Sequence, residues 1–166
     1  MTNLKKIVFL LAIVALNFSC TGQEKFSEAA LAENLTTATG STINLNRILL
    51  INKGKTIVID VWASWCGDCV KNLPKVKEMQ TTFPEVSFVF LSCDKSIDSW
   101  KSGVEKHEIK GQHYFVPGGM KGEFAKSIDL TWIPRYIIID KTGKIALYNA
   151  IETDNEKVIN ILKSIQ

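Results

Sequence analysis

Apolar residues fall along the chain in three kinds of pattern. Ile7 to Leu16 is one unbroken apolar run. Lys55-Thr56-Ile57-Val58-Ile59-Asp60-Val61 and Val86-Ser87-Phe88-Val89-Phe90-Leu91-Ser92 are short and rich in β-branched and aromatic residues. That is the pattern of strands buried on both faces. Between them Val70, Leu73, Val76 and Met79 recur at helical spacing, which predicts a helix from Cys66 to about Thr82. Pro74 lies inside it and should remove one backbone hydrogen bond and bend it. Strand, helix and strand in this order predict parallel pairing with a right-handed crossover.

Upstream, threonines on both sides of Gly40 predict a β-hairpin, and Arg47 to Asn52 a short helix stopped by Lys53-Gly54. Downstream, Asp94 or Ser96 is placed to cap a helix from Ile97 to about Ile109. His113 to Val116 predicts a short strand, Met120 to Ile128 a short helix, and Asp129 to Ile133 a loop. Arg135 to Asp140 and Ile145 to Asn149 predict two strands joined by the turn Lys141 to Lys144. A last helix, with Asp154 as cap, carries Val158, Ile159, Leu162 and Ile165 on one face. The alternation of strands and helices is that of an α/β domain.

Composition sharpens this picture at the N-terminus. Lys5 and Lys6 precede the apolar run, which is too short for the roughly 20 residues a spanning helix needs. Residues 1–19 therefore read as an export signal, and Leu16-Asn17-Phe18-Ser19-Cys20 resembles a lipobox. In that reading the leader is cut before Cys20 and the cysteine is lipidated; the alternative is an ordinary secretory signal cut nearby. Both predict export to the periplasm or cell exterior, where disulfides persist. Residues 20–30 read as a tether and 31–166 as the domain. The two leader lysines supply most of the net charge of +3. The nearly neutral remainder carries no nucleic-acid footprint.

The candidate chemistry centres on four cysteines: Cys20, Cys66, Cys69 and Cys93. Cys66 and Cys69 lie where a buried strand hands over to a helix. The first then meets the positive end of the helix dipole, which stabilises a thiolate, and the second lies within reach to close a disulfide. A lone C-x-x-C is also half a zinc site, but Cys93, His107 and His113 offer no matching second pair, and no metal is expected. Cys66 is the candidate nucleophile, and Cys69, deeper in the helix, resolves the mixed disulfide. Asp60 lies in the middle of an apolar strand, where burial raises a carboxyl pKa. Cys93 reads as a buried inert thiol, His107 and His113 as surface residues. Trp62 should pack beneath a partly exposed Trp65, and Trp132 either covers the core or faces substrate.

Asp60-Val61-Trp62-Ala63-Ser64-Trp65-Cys66-Gly67-Asp68-Cys69 resembles the active-site segment of the TlpA/ResA-like extracytoplasmic thiol–disulfide oxidoreductases. Pro74 and Trp132-Ile133-Pro134-Arg135 extend the resemblance, the latter looking like that family's cis-proline loop. The resemblance covers roughly Leu31 to Gln166. It implies a thioredoxin-like three-layer sandwich, a mixed central sheet flanked by helices, with an N-terminal β-hairpin. It implies that Asp60 relays protons for Cys69, and that Trp65, Gly67, Asp68, Ile133 and Pro134 meet the substrate.

The expected activity is reduction of disulfide-containing protein substrates through a mixed disulfide. It needs no cofactor beyond the dithiol, and a membrane-bound or soluble thiol donor restores it. The departure is Asp68, where proline is common in the family. Its charge beside Cys66 disfavours the thiolate and so favours a reductant. Two other functions remain as alternatives. A peroxiredoxin-type peroxide reductase would need a Pro/Thr-x-x-Cys setting that is missing. A thioredoxin-like binding module would use the cysteines as ligands.

Overall fold

The computed structural model describes residues 23–151 and 156–165. The leader, Cys20 and the expected cap Asp154 lie outside the described residues.

Short local signals set the order of elements. Ser27 caps α1 (Glu28–Ala32) through its side chain, 3.1 Å from the Ala30 N–H. The hairpin follows as β1 (Asn34–Thr37) and β2 (Thr42–Asn44), turning at Gly40 with φ 83°. Asn44 accepts from the Arg47 N–H and starts α2 (Leu45–Ile51). Then come β3 (Ile57–Trp62), α3 (Gly67–Thr82), β4 (Ser87–Ser92), α4 (Ile97–Lys106) and β5 (Gln112–Phe115). The chain closes with α5 (Glu123–Ser127), β6 (Arg135–Ile139), β7 (Ile145–Ala150) and α6 (Glu156–Ser164).

The described strands form one mixed sheet in the order β2-β1-β5-β4-β3-β6-β7. β3 pairs parallel with β4 and antiparallel with β6, so it is interior. Every residue of β3 and of β6 is buried, which explains their unbroken apolar runs. Register places Asp60 between Phe90 on β4 and Tyr136 on β6. Helices flank the sheet, as a thioredoxin-like α/β fold requires. Pro74 lies inside α3, which nevertheless runs on to Thr82.

Four expectations are corrected. The expected tether is largely part of the domain: Phe26 and Ala30 are buried in the core, and the Ile145 N–H donates to the Glu24 carbonyl at 2.9 Å. A single phenylalanine within a polar stretch gave no periodic signal. The expected helix from Met120 to Ile128 is split into a 3-10 turn at Gly119–Lys121 and α5, because Gly122 between them is extended. A side chain at Gly122 would collide with the Pro117 carbonyl. α4 stops at Lys106, since His107 ends it and Glu108 takes a left-handed φ of 49°. His113 is half-buried rather than on the surface: it stacks on Phe90 and bonds the Ile109 carbonyl at 2.9 Å.

Candidate active site

β3 ends in Trp62 and the chain turns through Ala63, Ser64 and Trp65 into α3. Cys66 caps α3, its sulfur 3.1 Å from the Cys69 N–H. The sulfur thus occupies the place where an N-cap oxygen would stand, facing the unpaired N–H groups of the first turn. Cys66 and Cys69 are joined as a disulfide with Cα atoms 5.2 Å apart. Cys69 is the deeper of the two. Trp62, the last residue of β3, is fully buried, while Trp65, in the turn, is 53% exposed.

The loop before β6 reaches the same place. The Ile133–Pro134 peptide is cis, and the Ile133 carbonyl oxygen lies 3.6 Å from the Cys66 sulfur. Beside it runs a groove of about 300 Å³ lined by Asp68, Lys71, Asn72 and Lys75 of α3 and by Trp132, Pro134 and Ile151. Trp132 is 57% exposed there, which favours a role at the surface over one in the core. Structure therefore brings Cys66, Cys69, Ile133 and Pro134 together, and Asp68 with Pro134 in the adjoining groove. Gly67 is exposed at the start of α3.

Asp60 lies on the interior strand that leads into this site, two residues before its end. It is fully buried, its Oδ1 has no hydrogen-bond partner, and burial pushes its pKa up to about 8. The hydroxyl of Tyr136, the residue across the ladder, is likewise buried without a partner. Burial and then the neighbouring Asp60 charge raise the Tyr136 pKa further from its usual range. Cys93 is free and buried, and burial together with Asp94 pushes its thiol up to about 12. Such a thiol is protonated and inert at neutral pH. His107 and His113 stand with no metal-ligand cluster, and no group of acidic, His and Cys side chains among the described residues is arranged to hold an ion.

Asp94 is the site residue that sequence reasoning missed. Ser96, not Asp94, caps α4, its side chain 3.1 Å from the Ser99 N–H. Asp94 reaches the other way. Its carboxylate accepts from the Ser64 N–H at 3.1 Å, the Ser64 hydroxyl at 2.6 Å and the Ser92 hydroxyl at 2.8 Å. This ties the turn before Cys66 to the end of β4. Gly103 lets α4 approach the same turn, since a Cβ there would stand 2.5 Å from the Ser64 Cβ. No local signal marks either contact. The groove residues were more accessible: Asp68, Lys71, Asn72 and Lys75 are spaced i, i+3, i+4, i+7, one face of a helix.

Known proteins resemble this chain in sequence and fold. The profile of a thioredoxin-like family matches residues 54–145. "Thiol-disulfide oxidoreductase ResA" of Bacillus thuringiensis subsp. konkukian is 27% identical over 168 residues, covering 96% of this chain and 93% of its own length. "Sporulation thiol-disulfide oxidoreductase A" of Bacillus subtilis is 27% identical over 106 residues, 63% of this chain and 64% of its own. The solution structure of a protein from Bacteroides vulgatus, assigned as a thiol-disulfide oxidoreductase, superposes with a TM-score of 0.67 at 33% identity over 81% of this chain and 86% of that one. With its dithiol at a strand-to-helix turn facing a cis-proline loop, this chain belongs to the thioredoxin-like family, as a thiol–disulfide oxidoreductase of the TlpA/ResA-like kind.

Proposed function

We propose that the protein is an exported, lipid-anchored reductant of protein disulfides. The observation that carries the reading is the contact between the Cys66 sulfur and the Ile133 carbonyl, 3.6 Å apart at the head of α3. An extended substrate segment laid along Ile133 and Pro134 has its disulfide beside the sulfur that attacks it. The Cys66 thiolate attacks one substrate sulfur, forming a mixed disulfide and expelling the other as thiolate. Cys69 gives up its proton and attacks the Cys66 sulfur. The Cys66–Cys69 disulfide forms and the second substrate thiolate leaves. Two electrons pass to the substrate, and an external thiol donor restores the dithiol.

Asp60 accepts the Cys69 proton in this reading. Burial holds this carboxyl at about 8, so it takes the proton in the minority of molecules in which it is ionised at neutral pH, and the step quickens as pH rises toward 8. Reduction is favoured over oxidation because Asp68, exposed in the first turn of α3, opposes charge on Cys66. Export and anchorage at Cys20 are read from the leader, where Lys5 and Lys6 precede the apolar run and Ser19-Cys20 follows it. The expected substrates are folded or partly folded proteins bearing exposed disulfides.

Insulin reduction tests the core of the proposal. Cys66→Ser should abolish turnover, while Cys69→Ser should accumulate a mixed disulfide through Cys66, detected as a dithiothreitol-sensitive adduct. Adducts formed through Cys69 in Cys66→Ser, with turnover intact, would reverse the two roles.

A further inference from the structure

We propose that the end of the sheet remote from the cysteine pair is a lipid-facing surface, laid on an anionic bilayer by Leu50, Ile51 and a rim of basic side chains. The placement of the bilayer rests on the lipid-anchor reading of Cys20; the chemistry of the surface does not.

The Ile145 N–H donates to the Glu24 carbonyl, and Lys144 Nζ lies 3.9 Å from Glu24 Oε2. Glu24 is thereby fastened to the start of β7, next to the turn from β6. Ile57 pairs with Ile139 and Val61 with Arg135, so that turn sits at the N-terminal end of β3, whereas Cys66 follows its C-terminal end. Six residues of strand separate the two ends by about 20 Å. The stretch from Cys20 to Glu24 reaches at most about 14 Å when extended. An acyl chain on Cys20 brings the β6–β7 end to the bilayer and leaves the cysteine end away from it.

That end also has the chemistry of a lipid-facing surface. Leu50 and Ile51, adjacent in the last turn of α2, are 52% and 55% exposed. Single exposed apolar residues are ordinary; a contiguous pair beside a groove is less so. The groove, about 210 Å³, runs between the α2–β3 connection and the β6–β7 turn, with Leu49, Ile57 and Ile139 in its walls and Lys53, Lys55 and Lys141 lining it. Arg47 and Lys144 extend the basic rim. Asp140, Glu24 and Glu85 are the acids near this end, against five basic side chains. Asp140 Oδ1 accepts from the Thr142 and Lys144 N–H groups of its own turn, and Glu24 faces Lys144. Glu85, exposed on the α3–β4 connection, stands at this same end, two residues before Ser87, whose N–H donates to the Thr56 carbonyl. Apolar tips ringed by lysines suit a headgroup boundary: the tips enter it, and the ammonium groups stay with anionic lipid heads. The dithiol then faces outward, toward substrates in the surrounding space rather than in the membrane.

Hydrogen exchange of the full chain reconstituted in vesicles tests this, comparing phosphatidylcholine alone with phosphatidylcholine mixed with phosphatidylglycerol. Exchange across 49–55 and 140–144 should slow on the mixed vesicles relative to the neutral ones, while 64–69 stays unchanged. Each lysine at an anionic surface counts for roughly five-fold in partitioning, so Lys53→Glu, Lys55→Glu and Lys141→Glu together should lower the contact on the order of 100-fold and abolish the slowing, with insulin reduction unchanged. Equal exchange on both vesicle types overturns the proposal. So does slowing centred on 64–69, or slowing that grows with protein concentration without vesicles, which would mark a second copy as the occupant. Mass spectrometry of the N-terminal peptide reads the anchor separately. If no lipid mass is found the anchor fails, while slowing on mixed vesicles still upholds the surface and its absence still overturns it.

Discussion

At the scale of single residues, Asp60 is the group whose chemistry depends most on its surroundings. Its carboxyl is ionised in water at neutral pH, yet on an interior strand burial holds the proton to about pH 8. Asp60→Asn keeps the shape and removes the base. Attack by Cys66 should be unaffected, while resolution by Cys69 slows on the order of 100-fold at neutral pH and recovers as hydroxide takes over. Stopped-flow measurement of mixed-disulfide decay across pH checks this; decay as fast as wild type at neutral pH removes Asp60 from the proton path. Asp68 acts through charge alone. In the disulfide it faces no charge on Cys66; in the dithiol it opposes the thiolate. Asp68→Asn should therefore stabilise the reduced form and raise the potential by on the order of 10 mV. Equilibration against glutathione measures it, and an unchanged or lower potential rejects this electrostatic account.

At the scale of elements, the β3–α3 turn is held from outside by the end of β4. The Asp94 carboxylate carries the Ser64 N–H and two hydroxyls while almost fully buried. Asp94→Ala leaves those donors without an acceptor and should cost about 2–4 kcal/mol in urea unfolding. It should also lower the insulin-reduction rate, because the turn that places Cys66 loses its brace. The elements themselves were readable where their pattern is local. β3, α3, β4, β6 and β7 fall where alternation, runs and helical spacing put them, to within a residue or two. The pattern misled where packing overrode it, as at Gly122, whose extended backbone cuts the expected helix and whose lack of a side chain leaves room for the Pro117 carbonyl.

At the scale of the whole molecule, Asp60 also sets how stability depends on pH. The folded state holds a proton at Asp60 that the unfolded chain, with a pKa of 3.8, has released. Its contribution is therefore intact below about pH 4, declines as pH rises, and is fully lost above about pH 8. Asp60→Asn should match wild type near pH 4 and exceed it by a few kcal/mol at pH 8, read from urea midpoints with the disulfide kept oxidised. A gain of equal size at both pH values would mean that the carboxyl is not the source. The sequence by itself determined the α/β class, the dithiol at a strand-to-helix junction, the buried carboxyl within a strand and the hairpin. Each depends on neighbours close in the chain, through periodicity, turn chemistry or helix capping. Only the tertiary structure decided that Asp94 braces Ser64, that Tyr136 stands across from Asp60, that Phe26 belongs to the core, and that Glu24 is fastened at the end remote from the cysteines. Those facts join residues far apart in sequence, and sheet register and packing, which no local pattern encodes, bring them together.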